Sequence, residues 1–158
     1  MSAVDAFSGG CQCGAVRYTA GNGLRYPHVC HCRMCQKAAG NYFLPLGASM
    51  RADFSLTRGE PQWFHSSQTV RRGFCGRCGT PLFYDIPGTD FINVTLGSLD
   101  EPSRAKPEAQ SNLDTKMLWF HDLDGLPVEP RGDGPSLPLQ SRQHPDNDTT
   151  TWPPEEQT

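Results

Sequence analysis

Three of the seven cysteines fall within one six-residue stretch, Cys30-His31-Cys32-Arg33-Met34-Cys35. A Cys-x-Cys-x-x-Cys spacing lets three sulfurs converge on one metal ion if the backbone curls once, and thiolate sulfur suits zinc well. Zinc prefers four ligands, so three protein sulfurs leave one coordination position open. The stretch therefore predicts a metal site that can accept water or a substrate, and the rest of the chain is interpreted as its scaffold.

The other four cysteines form two pairs on either side of this stretch. Cys11 and Cys13 lie in a glycine-rich turn, and Cys75 and Cys78 form a Cys-x-x-Cys-Gly knuckle. Neither pair can complete a tetrahedron alone, so together they predict one closed four-sulfur site of the kind that structural zinc occupies. Four plus three accounts for all seven cysteines and predicts two zinc ions per chain, one structural and one catalytic or substrate-binding.

Other uses of the cysteines stay open from the residues alone. His28 or His31 can supply an eighth ligand, which closes the second site and makes both zinc ions structural. Cys75 and Cys78 can instead form a redox dithiol, although the βαβ pattern expected around such a motif is missing.

Length, charge and cysteine number restrict the class of protein. The chain has 158 residues, a net charge of −3 and a pI of about 5.9, which does not favour a nucleic-acid partner. No apolar run approaches the ~20 residues of a membrane span, and residues 1–10 do not resemble a signal peptide. We therefore expect a cytoplasmic protein with no membrane partner, whose clustered cysteines bind metal rather than form disulfides.

Short alternating segments separated by glycine and proline predict a mainly β domain. Strands are expected near residues 15–19, 42–46, 54–56, 63–65, 81–84 and 91–96, with a last strand or buried segment at 116–120. One short helix is expected from Arg33 to Ala39, ended by Gly40. The domain is predicted to span residues 1–128. Residues 129–158 hold six of the fourteen prolines and no isoleucine or valine, so they are expected to form a flexible acidic tail.

Four motifs, in their order along the chain, resemble those of one family. They are Gly10-Cys11-Gln12-Cys13-Gly14, Cys30-His31-Cys32-x-x-Cys35, Arg72-x-Phe74-Cys75-x-x-Cys78-Gly79-Thr80-Pro81-Leu82 and Gly97-Ser98-Leu99-Asp100. They are similar to the motifs of the glutathione-dependent formaldehyde-activating enzymes, which share a domain with centromere protein V. The resemblance covers residues 9–127, including Lys116 and Trp119.

The resemblance implies a zinc-bound fold of several coiled β-sheets and a carbon–sulfur lyase activity. In the S-(hydroxymethyl)glutathione synthase reaction, glutathione and formaldehyde are joined reversibly, so a small-molecule thiol and an aldehyde are the implied partners. It also implies a structural zinc on Cys11, Cys13, Cys75 and Cys78, and a second zinc on Cys30, Cys32 and Cys35. Cations near the second zinc would help to hold an anionic thiol peptide, and the candidates are Arg33, Lys37, Arg71 and Arg72.

The chain departs from the family in one segment. Where relatives commonly carry a histidine after a proline, this chain has Gln110 in Pro107-Glu108-Ala109-Gln110. If that histidine shapes the pocket, a different thiol or aldehyde is expected here. The alternative function is a non-catalytic zinc module that binds a small thiol or a protein partner. Chromatin binding, as in centromere protein V, is disfavoured because the tail is acidic.

Overall fold

The structure is a computed structural model that describes residues 6–128 and 141–153. Within those residues the chain is mainly β with one short α-helix, which confirms the predicted fold class. No helix in the described part has the length and apolar character to cross a membrane. The elements are, in chain order, β1 (Phe7–Gly10), β2 (Arg17–Ala20), β3 (Arg25–Cys30), α1 (Arg33–Ala39), β4 (Leu44–Met50), β5 (Phe54–Arg58), β6 (Gln62–His65), β7 (Arg71–Phe74), β8 (Pro81–Asp85), β9 (Phe91–Thr95) and β10 (Ala109–Ser111).

The strands form two sheets. One has three strands in the order β1-β2-β5, and the other has seven in the order β10-β3-β4-β9-β8-β7-β6. All pairs are antiparallel except β10 with β3, which run parallel. Each cysteine pair lies in a turn of one sheet: the first pair lies between β1 and β2, and the second between β7 and β8.

The two sheets share one apolar core. Tyr18 of β2 is fully buried, and its ring lies 5.2 Å from that of Phe83 in the larger sheet and 5.8 Å from that of Phe54. A buried tyrosine hydroxyl needs a hydrogen-bond partner, which Ser98 Oγ provides at 2.7 Å. Burial of Leu82 and Val94 on neighbouring strands extends this core beneath the second cysteine pair.

The helix begins and ends at the predicted residues. α1 begins at Arg33, and Gly40 follows it with a left-handed backbone, φ = 60°, which glycine adopts without steric cost. The amide of Asn41 donates to the carbonyl of Gln36 at 3.2 Å, which closes the last turn.

The expected last strand or buried segment at residues 116–120 is wrong. The segment forms a turn that leads into a 3-10 helix at Phe120–Gly125, and Leu118 is 91% exposed. The aromatic side chains of this segment pack against neighbouring rings. The ring centroids of Trp119 and Tyr42 lie 4.6 Å apart, and those of Phe120 and His31 lie 4.9 Å apart. The apolar pattern therefore reflects aromatic packing beside α1 rather than a strand.

A buried ion pair ties β2 to the loop that follows β9. The Arg17 guanidinium donates two hydrogen bonds to Asp100, at 2.8 and 2.6 Å, and both side chains are at most 8% exposed. Ser8 Oγ also donates to Asp100, at 2.6 Å. Burial alone disfavours the carboxylate, but the hydrogen bonds from Arg17 and Ser8 and the charge of Arg17 outweigh it, so the pKa of Asp100 lies below its ordinary value.

Part of the predicted tail contacts the domain. Residues 141–153 lie against the turn between β1 and β2: His144 is buried, and its amide donates to the carbonyl of Gln12 at 2.7 Å. The contacts of this segment are largely polar, so its composition did not indicate them. Residues 129–140 and 154–158 of the predicted tail lie outside the described residues.

Asp100→Asn is expected to lower the free energy of unfolding by about 3 kcal/mol at pH 7, because Arg17 stays buried without its bidentate partner. A carboxyl whose pKa is lowered by folding stabilises the fold fully above its unfolded pKa, and this contribution is lost as pH falls through the folded pKa. The difference between wild type and variant should therefore shrink below pH ~4. Urea unfolding across pH measures it. Asp90→Asn, at an exposed position, is the control, and equal losses in both variants would contradict this role of Asp100.

Candidate metal centres

The structure brings the seven cysteine sulfurs together in two groups. The sulfurs of one group all lie within 4.8 Å of one another, and they belong to Cys11, Cys13, Cys75 and Cys78. The sulfurs of the other group meet the same criterion, and they belong to Cys30, Cys32 and Cys35. These are the four-sulfur group and the three-sulfur group that the cysteine spacing predicts, and all seven thiols are free.

Two tight turns build the four-sulfur group. In the first, the amide of Gly14 donates to the carbonyl of Cys11 at 2.9 Å, and the amide of Val16 donates to Cys11 Sγ at 3.3 Å. In the second, the amide of Gly79 donates to the carbonyl of Cys75 at 2.9 Å. Gly14 and Gly79 have φ of 74° and 78°, so each turn needs the left-handed backbone that glycine allows.

The sulfur spacing in this group fits a tetrahedral metal ion. Sulfurs bound to zinc at ~2.3 Å in a tetrahedron lie about 3.8 Å apart. The distances from Cys13 Sγ are 3.6 Å to Cys11 Sγ and 3.8 Å to Cys75 Sγ. Cys11 and Cys75 are buried, so the group has the closed, sulfur-only character of a structural metal site.

The pKa values of Cys11 and Cys78, one from each turn, are shifted in opposite directions. Burial raises the pKa of Cys11 well above its ordinary value. Burial acts in the same direction on Cys78, but hydrogen bonds from Thr80 and Cys13 outweigh it and lower the pKa of Cys78 to about 6. A lowered pKa favours the thiolate, which is the form that ligates metal.

The end of β3 and the first turn of α1 build the three-sulfur group. Cys32 is the N-cap of α1, and its sulfur accepts a hydrogen bond from the amide of Cys35 at 3.3 Å. Cys30 Sγ accepts one from Asn112 Nδ2 at 3.2 Å. Cys35 Sγ accepts one from Arg72 Nη2 at 3.5 Å. Each sulfur thus accepts at least one hydrogen bond from an N–H group, and such donors stabilise thiolates.

Neither candidate imidazole joins the three-sulfur group in the described part of the chain. His31 is fully buried, but its Nε2 lies 3.1 Å from Gln110 Oε1, and no ring nitrogen of His28 or His31 belongs to the clustered ligand atoms. His28 Nδ1 lies 2.9 Å from the carbonyl of Tyr26. The described residues therefore offer three protein ligands here, as the open-site interpretation requires.

Gln110, which stands where the family resemblance leads us to expect a histidine, makes two side-chain hydrogen bonds. Its Oε1 accepts hydrogen bonds from His31 Nε2 and from Lys116 Nζ, at 3.1 and 3.0 Å. His31 Nδ1 is buried without a hydrogen-bond partner. The carbonyl of His31 accepts from Gln36 Nε2 at 2.7 Å and from Thr115 Oγ1 at 2.9 Å. These contacts fix the backbone between Cys30 and Cys32.

A buried cation lies beside the three-sulfur group. Arg72 is 7% exposed, donates to Ser66 Oγ at 3.2 Å and lies 5.1 Å above the ring of Tyr84. Burial raises the pKa of Cys35 to about 12, although Arg72 acts in the opposite direction. Tyr84 packs against the buried cluster that contains Cys30 and Cys35, and burial raises its pKa as well.

Three of the four predicted cations line one cleft next to this group. The cleft has a volume of about 480 Å³ and is lined by Arg33, Met34, Lys37, Ala38, Phe64, Ser66 and Arg72. Arg71 is not among them. Its Nε donates to Asp85 at 2.7 Å, and its guanidinium lies 4.0 Å above the ring of Trp63, so it serves the scaffold instead.

Two residues that contact the three-sulfur group, Asn112 and Tyr84, were not predicted from the sequence. Both reach it from distant segments, and neither lies in a recognisable motif. For the arginines a signal existed: neighbouring residues of a strand point to opposite faces, so Arg71 and Arg72 could not both face the cleft.

The comparisons with known proteins agree with this architecture. A crystal structure of a Rhodobacter sphaeroides protein superimposes with a TM-score of 0.54 at 20% identity, over 66% of this chain and 99% of that one, which shows a shared fold. A Halomonas elongata protein, provisionally named a glutathione-dependent formaldehyde-activating enzyme, is 27% identical over 121 residues, which is 70% of this chain and 77% of the relative.

The chain also matches a protein family over most of its length. Residues 6–115 match the family described as glutathione-dependent formaldehyde-activating enzyme. This range includes all seven cysteines and more than half of the 158 residues. The chain therefore belongs to the family of glutathione-dependent formaldehyde-activating enzymes.

Proposed function

We propose that this protein is a carbon–sulfur lyase of the S-(hydroxymethyl)glutathione synthase type. It joins a thiol, glutathione or a similar one, to formaldehyde or another aldehyde in a reversible reaction. The observation that carries the proposal is the three-sulfur group, which lacks a fourth side-chain ligand among the described residues and adjoins a cationic cleft. A purely structural site would use its fourth position for a protein ligand.

Both sulfur groups are assigned to zinc in this proposal. The donor chemistry and the sulfur spacing of the four-sulfur group suit a structural ion. At the three-sulfur group, a bound zinc ion supplies a Lewis acid with an open position for a thiolate sulfur or an aldehyde oxygen. Arg72, through its hydrogen bond to Cys35, offsets part of the negative charge that three thiolates bring.

The cleft residues bind and orient the thiol. Glutathione carries two carboxylates, and Arg33, Lys37 and Arg72 are cations among the residues that line the cleft, where they can pair with carboxylates. Phe64 provides apolar surface on the same cleft. Holding the thiol near the sulfurs favours attack of its sulfur on the carbonyl carbon. The C–S bond forms, the carbonyl π bond breaks, and the thiol proton ends on the new hydroxyl oxygen.

Cys78→Ser and Cys32→Ser should separate the two zinc sites. Each variant is expected to lose about one zinc per chain, since each removes a ligand from a different group. Cys78→Ser should also lower the free energy of unfolding by about 3 kcal/mol or more, because the four-sulfur group closes a long loop between distant residues. Cys32→Ser should leave most of the fold intact, since its group lies within six residues.

Zinc content by mass spectrometry and thermal unfolding by circular dichroism measure both effects. Complete unfolding of Cys32→Ser would favour the alternative, a zinc module in which both ions are structural.

Lys37→Ala should weaken the use of glutathione by about fivefold in KM, the upper range for an exposed ion pair. The rate of exchange between formaldehyde and the hydroxymethyl adduct, followed by exchange NMR above the uncatalysed rate, measures this. With 2-mercaptoethanol, which has no carboxylate, Lys37→Ala should behave as wild type. Lys106→Ala removes another exposed lysine, one that does not line the cleft, and serves as the control.

Two results would contradict the proposal. One is wild-type protein with both metals bound that does not accelerate the exchange. The other is an equal effect of Lys37→Ala and Lys106→Ala, which would remove the cleft from thiol binding.

A further inference from the structure

Residues 141–153 lie outside the range matched to the family, 6–115, and cross the turn that carries Cys11 and Cys13. The segment fits closely against this turn. His144 is 3% exposed, and its ring lies so near Gly14 that a Cβ atom at that position would come within 2.1 Å of His144 Cδ2. The turn and the segment are therefore complementary in shape.

Donors of the segment bind two consecutive carbonyls of the turn. The amide of His144 donates to the carbonyl of Gln12 at 2.7 Å. The indole Nε1 of Trp152 donates to the carbonyl of Cys13 at 2.7 Å. Both carbonyls lie outside regular secondary structure. The segment therefore fixes peptide groups that are not fixed by hydrogen bonds of a sheet.

The third carbonyl of the turn is bound through an arginine that the segment orients. Arg58 Nη1 donates to the carbonyl of Gly14 at 3.2 Å and to His144 Nε2 at 3.2 Å. His144 Nδ1 donates to the carbonyl of Pro145 at 2.7 Å, which leaves Nε2 as the acceptor. Arg58 Nη2 donates to the carbonyl of Thr149.

Two contacts with arginine side chains add to these bonds. Asp148 accepts a hydrogen bond from Arg17 Nε at 2.6 Å, on the same buried guanidinium that binds Asp100. The guanidinium of Arg77, which lies between Cys75 and Cys78, is 4.7 Å above the ring of Trp152. The segment thus contacts both turns of the four-sulfur group.

We propose that residues 141–153 form a strap that retains the metal ion of the four-sulfur group. A buried metal leaves such a site when one turn opens locally. Opening the Cys11–Gly14 turn requires the bonds to its carbonyls to break first, so the strap raises the free energy of that opening. Outer contacts of this kind typically change metal affinity by 10- to 100-fold. The inference rests on metal binding by this group and is independent of the lyase activity.

The test compares two truncations of the zinc-loaded protein, one ending at Gln140 and one ending at Pro153. Zinc release to a chromogenic chelator should show a fast phase from the three-sulfur group and a slow phase from the four-sulfur group. The truncation at Gln140 should speed the slow phase by about tenfold and leave the fast phase unchanged. The truncation at Pro153 keeps the strap and should match the full chain.

A point variant makes the test independent of how well the truncated chain folds. Trp152→Phe keeps an aromatic ring and removes the N–H donor to Cys13, so it should speed the slow phase by about fivefold, the effect of one hydrogen bond. Trp119→Phe, which changes a tryptophan away from the strap, should have no effect. Equal slow-phase rates in the full chain, the Gln140 truncation and Trp152→Phe would overturn the proposal, as would the absence of metal from the four-sulfur group.

Discussion

The convergence of four sulfurs from two distant turns is the constraint on which the rest of the structure depends. Cys11 and Cys13 lie in a turn of the three-stranded sheet, and Cys75 and Cys78 lie in a turn of the seven-stranded sheet. A metal held there joins the two sheets at the edge of their common core. The strands are short, so an ion of this kind contributes directly to the folding of the domain.

The three-sulfur group has a different design. Its ligands come from one local stretch, where the N-cap of α1 and the end of β3 place three sulfurs together. The surroundings provide donors rather than a further ligand: Asn112 and Arg72 each donate to one sulfur. The hydrogen bond between His31 and Gln110 stabilises the backbone between Cys30 and Cys32. The arrangement holds three sulfurs together without a fourth side-chain ligand among the described residues, as the proposed reaction requires.

The grouping of the cysteine sulfurs could be predicted from the sequence, because the spacing of cysteines within each motif is a local property. The grouping of the cysteines and the helix that ends before Gly40 follow from short-range patterns. Contacts between distant segments could not be predicted in this way. The pairing of β10 with β3, the approach of Tyr84 and the docking of residues 141–153 depend on the tertiary fold. Residues 141–153 were expected to be flexible because they are polar, but their contacts with the domain are made by polar groups.

The central claim is the unequal division of the sulfurs, with one ion enclosed by four and its neighbour held by three. Cobalt substitution tests it most directly, because the absorption of Co²⁺ reports its ligands. The account predicts two cobalt ions per chain, of which one has four thiolates and an absorption spectrum that does not change when glutathione is added. The spectrum of the other should change as glutathione enters its coordination shell. Two cobalt ions that both ignore glutathione, or an imidazole nitrogen permanently bound to the second, would contradict the account.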